Sequence, residues 1–196
     1  MENAESKKES SASPIIDPNP ERRKQVLEKL NAFLEDKVSL AELRGVSKEQ
    51  LYLLAEAGYV KLKHGRLDEA EKIFQGLIVL DHRNAYFHAG MGAVHQQKKK
   101  PVEAILEYST ALTTDAKDIT SLVNRGEIYL RHKNYRKAAE DFRSAILLDM
   151  SGRNLWANRA RSLVIAIKRS MEADVATKKK SMASQPRQPK KRPNPA

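Results

Sequence analysis

Small and aromatic residues return every 34 positions and divide the middle of the chain into three similar units. An alanine marks each unit, with a glycine twelve positions before it and an aromatic residue four positions after it. The residues are Ala70, Ala104 and Ala138; Gly58, Gly92 and Gly126; and Phe74, Tyr108 and Phe142. Glycine and alanine let two helix axes approach closely while a ring fills the space beside them. Each unit is therefore predicted to be a pair of packed helices.

A repeat of this length, built as helix, turn and helix, resembles the tetratricopeptide repeat. The resemblance implies an all-α fold in which three repeats stack into a right-handed solenoid. A leading helix should precede the repeats and a basic helix should follow them. Solenoids of this kind bind extended peptides on their concave face, so the resemblance also implies a groove.

Composition and periodicity divide the 196 residues into five segments. Both ends are polar and rich in proline, and they contain too few apolar residues to build a core, so we expect them to be disordered. The predicted segments are 1–18, disordered; 19–45, leading helix and cap; 46–152, three repeats at 51–84, 85–118 and 119–152; 153–176, C-terminal basic helix; and 177–196, disordered basic tail.

The leading segment has the features of an amphipathic helix. Asn19 is a suitable cap, Pro20 fits the first helical position, and apolar residues follow at helical spacing as far as Leu34. An apolar face on a helix is normally buried against a partner. Two interpretations stay open: packing on the first repeat, and a homodimer contact made by Leu27, Leu30, Phe33 and Leu34.

Positive charge is concentrated at the carboxyl end of the chain. Residues 1–152 contain 24 Lys and Arg against 23 Asp and Glu, whereas residues 153–196 contain 12 against 2. The tail includes Lys178–Lys180, Arg187 and Lys190–Arg192. Such a tail is either a solvated extension or a contact for an acidic partner, an RNA or an anionic membrane surface.

Enzymatic chemistry has little support in the sequence. The chain has no cysteine, no Gly-rich phosphate loop and no nucleophile motif. His88 and His95 are spaced suitably for a metal, but they occupy packing positions of the repeat and are expected in the core. Acids of the second helices, such as Glu71 and Asp141, are expected to face solvent. We therefore expect no enzyme activity, metal, cofactor or small-molecule substrate.

The cellular location can also be anticipated. No stretch reaches the roughly twenty apolar residues that a membrane helix requires. The amino terminus is polar and has no apolar signal core, and the absence of cysteine fits a reducing compartment. We expect a cytoplasmic protein.

Two sequence runs and a glycine pair carry a closer resemblance. The runs are Leu-Arg-Gly-Val-Ser-Lys-Glu-Gln-Leu at 43–51 and Gly-Arg-Leu-Asp-Glu-Ala-Glu-Lys-Ile-Phe-Gln-Gly-Leu-Ile-Val-Leu-Asp-His at 65–82, and Gly90 and Gly92 follow them. Over about residues 25–150 the chain resembles the class II translocator chaperones of bacterial type III secretion, the SycD/LcrH family. The long basic tail departs from the family pattern.

This resemblance implies a function and a site. Members of the family hold a segment of a hydrophobic translocator protein in the concave groove and keep it soluble before export. The groove positions would be Tyr52, Ala55, Tyr59 and Leu62; Tyr86, Ala89, Ala93 and Gln96; and Val123, Glu127 and Leu130. Two other functions stay open: a co-chaperone for a needle subunit, and a repeat adaptor that binds RNA or an acidic protein through the basic tail.

Overall fold

The described part of the chain is helical. The computed structural model describes the backbone of residues 18–183, and it describes side chains as far as Arg169 and at Glu172. No strand occurs among these residues, and the all-α prediction is confirmed. The helices are α1 Pro20–Leu34, α2 Leu40–Arg44, α3 Lys48–Lys63, α4 Leu67–Leu80, α5 Ala85–Gln97, α6 Pro101–Thr114, α7 Ile119–Arg131, α8 Tyr135–Leu148 and α9 Leu155–Ala183.

Three helix pairs form the predicted repeats. Helices α3 and α4, α5 and α6, and α7 and α8 pack within each unit, and α4 against α5 and α6 against α7 join neighbouring units. Helix α9 contacts both α8 and α7, as α7 itself contacts α6 and α5. It therefore occupies the place that the first helix of a fourth repeat would take.

Local sequence signals fix where several helices begin. Asn19 accepts hydrogen bonds from the backbone N–H groups of Glu21 and Arg22 and so caps α1. The next two helices each begin with a capping box. In each box a serine side chain accepts a hydrogen bond from the backbone N–H of the third helical residue, and the side chain of that residue accepts one from the backbone N–H of the serine. The pairs are Ser39 with Glu42 at α2 and Ser47 with Gln50 at α3.

Each repeat is closed by a ring packed directly on glycine. Phe74, Tyr108 and Phe142 have no exposed surface, and neither do the alanines that mark the 34-residue period. A methyl group added at Gly92 would lie 2.8 Å from the ring of Tyr108, and one added at Gly126 would lie 2.7 Å from the ring of Phe142. The helix pairs therefore approach as closely as the sequence period predicts.

The ring of Phe74 also joins the first two repeats. A methyl group at Gly58 of α3 would lie 3.0 Å from this ring, and a methyl group at Gly90 of α5 would overlap it. Phe74 itself belongs to α4, so one side chain contacts the bare backbone of two neighbouring helices. The position of α5 relative to the first repeat depends on this contact.

Two acids of the second helices are paired, contrary to the expectation that they face solvent. The guanidinium of Arg125 binds both carboxylate oxygens of the buried Asp141, at 2.9 and 2.7 Å, and donates a third hydrogen bond to Ser109 at 2.9 Å. Lys98 binds Glu71 at 2.6 Å and thereby ties the end of α5 to α4. The spacing of these acids gave no sign of their partners, which come from neighbouring helices.

The apolar face of α1 does not pack on the first repeat, so that interpretation was wrong. Helix α1 contacts α2 and no other described helix. The segment that follows it is anchored instead: the Asp36 carbonyl accepts a hydrogen bond from Arg83 at 2.5 Å, and His82 Nε2 lies 3.3 Å from the Asp36 carboxylate. The side chains of Val26, Leu27, Leu30 and Leu34 are 43–73% exposed.

Helix α9 is longer than predicted. It continues to Ala183, seven residues past the boundary expected at residue 176. The intervening residues include Ala, Lys and Met, which favour helices, and the first proline after them is Pro186. Residues 1–17 and 184–196, most of the two segments expected to be disordered, lie outside the described residues. Within residues 18–183 no helix is long and apolar enough to cross a membrane.

A pair of glycine substitutions tests the ring contacts. Gly90→Ala should lower the free energy of unfolding by about 1–3 kcal/mol, because Phe74 is fully buried and cannot move aside. Gly76→Ala in α4 is the matched control: nothing lies within 4 Å of its added methyl group, so it should raise stability by about 0.5–1 kcal/mol. Urea unfolding followed by circular dichroism measures both. Equal effects of the two substitutions would contradict the close packing.

Candidate peptide-binding groove

Two connected depressions lie on the inner side of the first helices. The first, of about 180 Å³, is bounded by Tyr59, Tyr86 and Ala89 together with Asp115 and Asp118. The second, of about 310 Å³, shares Tyr59, Ala89 and Thr120 with the first and continues along α5. Together they form one groove, named here the α5 groove.

Six of the eleven predicted groove residues line the α5 groove. All six lie on α3 or α5, in the first and second repeats. Along α5 they follow helical spacing, so that a single face of this helix forms the floor. The six residues are Tyr59, Leu62, Tyr86, Ala89, Ala93 and Gln96.

Three other predicted residues do not line the α5 groove. Ala55 and Val123 have no exposed surface, because both are packed inside the core clusters of their repeats. Tyr52 is 44% exposed but lies outside the groove, with its ring centroid 5.6 Å from that of Tyr86 and 5.9 Å from that of Phe87. A periodic pattern identifies the inner face of a helix but not which part of that face is covered.

Two predicted residues of the third repeat do not line the α5 groove. Glu127 is bound by the guanidinium of Arg159 in α9. Leu130 packs against the buried cluster of the third repeat, to which Val123, Phe142 and Ala160 belong. The third repeat instead contributes residues from the first turns of α7.

Sequence reasoning missed several residues that line the second depression. Thr120 and Asn124 come from α7, and Tyr108 reaches it from α6. Trp156 comes from α9, with the Arg159 guanidinium 5.9 Å from its ring centroid. A signal existed for Trp156, since it is the single tryptophan of the chain and directly follows the repeats. Its position beside the groove depends on the packing of α9.

The aromatic residues of the groove are packed against one another. Tyr59 meets Phe74 edge-on at 5.1 Å and Tyr86 at 5.2 Å between ring centroids. The Tyr86 hydroxyl donates to Glu56 at 2.9 Å, and burial together with this bond raises the pKa of Tyr86 to about 12. Burial also raises the pKa of Tyr59 and Tyr108. All three phenols are therefore neutral donors at physiological pH.

The chemistry of the groove suits binding of an extended chain. Apolar rings and alanine methyl groups form its floor, while the amides of Gln96 and Asn124 can meet backbone groups of a bound segment. Rings of this kind supply large contact areas and lose little conformational entropy. In the described part of the chain, no group of three or more His, Asp or Glu residues is placed to hold a metal ion.

A buried histidine positions the helix that forms the groove floor. His88 of α5 has Nδ1 2.7 Å from the Glu107 carboxylate of α6 and Nε2 2.8 Å from the His82 carbonyl. A carboxylate and a carbonyl accept hydrogen bonds, so both contacts are made when the two ring nitrogens carry protons, that is, in the imidazolium form. The Glu107 bond, opposed by burial, raises the pKa of His88. Both ring nitrogens of His88 are thus engaged, and His95 Nδ1 lies 3.8 Å from the Glu71 carboxylate.

Comparison with known proteins identifies relatives along most of the chain. No protein-family model matches it. The low calcium response locus protein H of Yersinia pestis is 26% identical over 147 residues, which cover 74% of this chain and 88% of that protein.

Solved structures are also similar to this chain. A type III secretion system (T3SS) complex from Aeromonas hydrophila is 33% identical, covers 74% of this chain and 98% of its own, and superposes with a TM-score of 0.65. PcrH of Pseudomonas aeruginosa is 30% identical over 66% of this chain and 99% of its own, with a TM-score of 0.59. The type III secretion chaperone SycD of Yersinia enterocolitica, in complex with a peptide of the translocator YopD, is 26% identical over 64% of this chain and 98% of its own, with a TM-score of 0.57.

The charged His88 contact predicts how stability depends on pH. The pKa of His88 is raised in the folded protein, so its contribution is fully present below the unfolded pKa of about 6.5 and is lost as pH rises through the folded pKa. The free energy of unfolding should therefore fall above about pH 6.5. The loss should be about 1.5–3 kcal/mol, the usual contribution of hydrogen bonds to a charged group.

Urea unfolding at a series of pH values measures this dependence. His88→Gln should flatten it, because glutamine cannot gain a proton. His64→Gln, at an exposed position after α3, should leave it unchanged. A parent protein whose stability rises between pH 6.5 and 8.5 would show that His88 is not charged when folded.

Proposed function

This chain belongs to the type III secretion translocator chaperones, and from that membership we propose that its α5 groove holds an extended segment of a hydrophobic translocator protein. Binding would cover apolar surface of the client and keep it soluble in the cytoplasm before export. The role is one of binding alone, without enzymatic chemistry.

One observation carries the proposal: α5 gives the groove an apolar floor, made of the recessed Ala89 and the partly exposed Tyr86 and Ala93, and tyrosines and Trp156 wall it. A globular domain normally buries such a face. Support also comes from relatives solved with peptides in place. SycD has been solved with a peptide of YopD, and PcrH with the chaperone binding regions of PopB and of PopD.

No observation among the described residues favours the two other functions. A needle-subunit co-chaperone and a tail-based adaptor would each need a distinct surface. The basic tail that an adaptor would use begins within α9 and extends beyond the described residues. Contact between the tail and an acidic partner stays a prediction.

Filling the groove tests the proposed function. Ala93→Trp places a large ring on the floor of the second depression, where Ala93 is partly exposed, and should reduce client binding at least tenfold by occupying the client's space. The tagged full-length protein is isolated from its native cells, and the proteins that accompany it are quantified by mass spectrometry. We expect one or two proteins with long apolar segments, depleted in the variant.

Val102→Trp provides the matched control. Val102 lies on α6, away from the groove, and is 74% exposed, so the substitution adds the same ring without filling the site. Circular dichroism should show that both variants keep the parent helix content. Equal recovery of the apolar proteins with Ala93→Trp and with the parent protein would refute peptide capture in this groove.

We also propose that the exposed face of α1 is a homodimer contact. Leu27, Leu30 and Leu34 are exposed, and α1 has no described neighbour beyond α2 that could cover them. Phe33 of the same predicted set is only partly exposed. An apolar stripe of this size on an otherwise polar helix is typical of an interface between protein chains.

Charge substitutions on α1 test the dimer. Leu27→Glu with Leu30→Glu should convert a dimer of the full-length protein into a monomer, because two carboxylates would be buried without partners. Light scattering after size-exclusion chromatography measures the mass. Arg23→Glu with Lys24→Glu, on the same helix but at polar positions, is the control. An unchanged mass in the leucine variant excludes α1 as the contact.

A further inference from the structure

The α5 groove continues into a third depression. This depression, of about 240 Å³, shares Gln96 with the second one and is bounded by Lys99, Pro101, Arg131 and His132. The three depressions therefore follow α5 from its first residue, Ala85, to the turn after its last. Helix α5 has 13 residues and is about 20 Å long, a distance that about six extended residues span.

One end of this path is acidic. Asp115 and Asp118 line the first depression, and Glu56 stands beside it, bound to the Tyr86 hydroxyl at 2.9 Å. Backbone N–H groups donate to both aspartates, but none of the three carboxylates forms an ion pair with a described residue. Burial is the main reason that the pKa of Tyr59 is raised, and the charges of Asp118 and Glu56 add to this effect, so both charges act inside the groove.

The opposite end of the path is basic. Lys99 and Arg131 line the third depression, and neither forms an ion pair within the described part of the chain. Burial raises the pKa of Tyr108, whose ring borders the second depression, and the charge of Arg131 acts weakly in the opposite direction, so this charge also reaches into the groove.

The unpaired state of these charges is notable because other charged groups nearby are paired. Lys98 is bound by Asp68 and Glu71, Arg125 by Asp141, and Arg159 by Glu127. Asp118 at the start of α7 and Arg131 in its last turn stabilise that helix through its dipole. Asp115 at the carboxyl end of α6 and Glu56 within α3 have no such role. The result is opposite charges at the two ends of a single groove.

We propose that the α5 groove selects its client by charge order. The captured segment carries a basic residue at the end over Asp115 and Asp118, apolar residues over Ala89 and Ala93, and an acidic residue at the end over Lys99 and Arg131. This inference rests on the proposed function, since it concerns the segment that the groove holds. It specifies which charge the segment carries at each end of the groove, and the peptide comparison shows in which direction the segment lies.

Three synthetic peptides of equal composition and about ten residues test the proposal. All have the same apolar centre; one has two lysines at its amino end and two glutamates at its carboxyl end, the second has the reverse order, and the third has one lysine and one glutamate at each end. Binding to the full-length protein is measured by fluorescence anisotropy. One of the two polarised peptides should bind roughly threefold to tenfold more tightly than the mixed peptide, as expected for two partly exposed ion pairs.

A charge exchange in the protein gives the decisive comparison. Glu56→Lys and Asp115→Lys combined with Lys99→Glu and Arg131→Glu keep the net charge and change the two ends of the groove from −3 and +2 to +1 and −2. This reverses the polarity of the groove, so the ranking of the two polarised peptides should also reverse. The same exchange at exposed positions on α6 and α8 outside the groove should leave the ranking unchanged; it combines Glu103→Lys and Glu140→Lys with Arg136→Glu and Arg143→Glu. Circular dichroism should show the parent helix content in both variants.

The outcomes separate this inference from the proposed function. A parent protein that does not distinguish the three peptides, or a charge exchange that leaves their ranking unchanged, overturns selection by charge order. If Ala93→Trp still depletes the apolar client in that case, peptide capture stands. If Ala93→Trp leaves client recovery unaffected, the proposed function itself fails, whatever the peptides show.

Discussion

The ring of Phe74 lies between the glycine backbone of α3 and that of α5, and the rest of the molecule depends on this contact. Gly58 and Gly90 have no side chains to hold the helices apart, so the ring touches both and sets the distance between the first two repeats. Tyr108 on Gly92 and Phe142 on Gly126 repeat the arrangement within the later units. Because such interiors are close-packed, each contact tolerates almost no added volume.

The groove is a consequence of the same packing. Close approach of α3, α5 and α7 brings one face of α5 to the inner surface, and the short side chains of Ala89 and Ala93 leave space above it. The His88 imidazolium, held by Glu107 and the His82 carbonyl, fixes the rotation of α5 from the opposite side. A charged contact can persist there because both of its ring protons are bonded.

Helix α9 caps the solenoid and borders the groove. It closes the third repeat by burying Ala157 and Ala160, and Arg159 binds the carboxylate of Glu127. A solenoid needs a terminal element of this kind, because its last repeat otherwise exposes an apolar face. Helix α9 also contributes Trp156 to the wall of the groove. At the other end of the solenoid, α1 leaves its own apolar face uncovered.

The sequence by itself determined the helix pairs, their order and their starts, since a 34-residue period of glycine, alanine and rings and the Ser-x-x-Glu and Ser-x-x-Gln boxes depend only on local spacing. It also indicated the inner faces of α3 and α5. Only the tertiary structure decided that Ala55 and Val123 are buried, that Asp141 pairs with Arg125, and that Arg159 of α9 binds Glu127. The physical reason is that periodicity fixes the direction in which a side chain points, whereas its burial and its partner depend on residues distant in the chain.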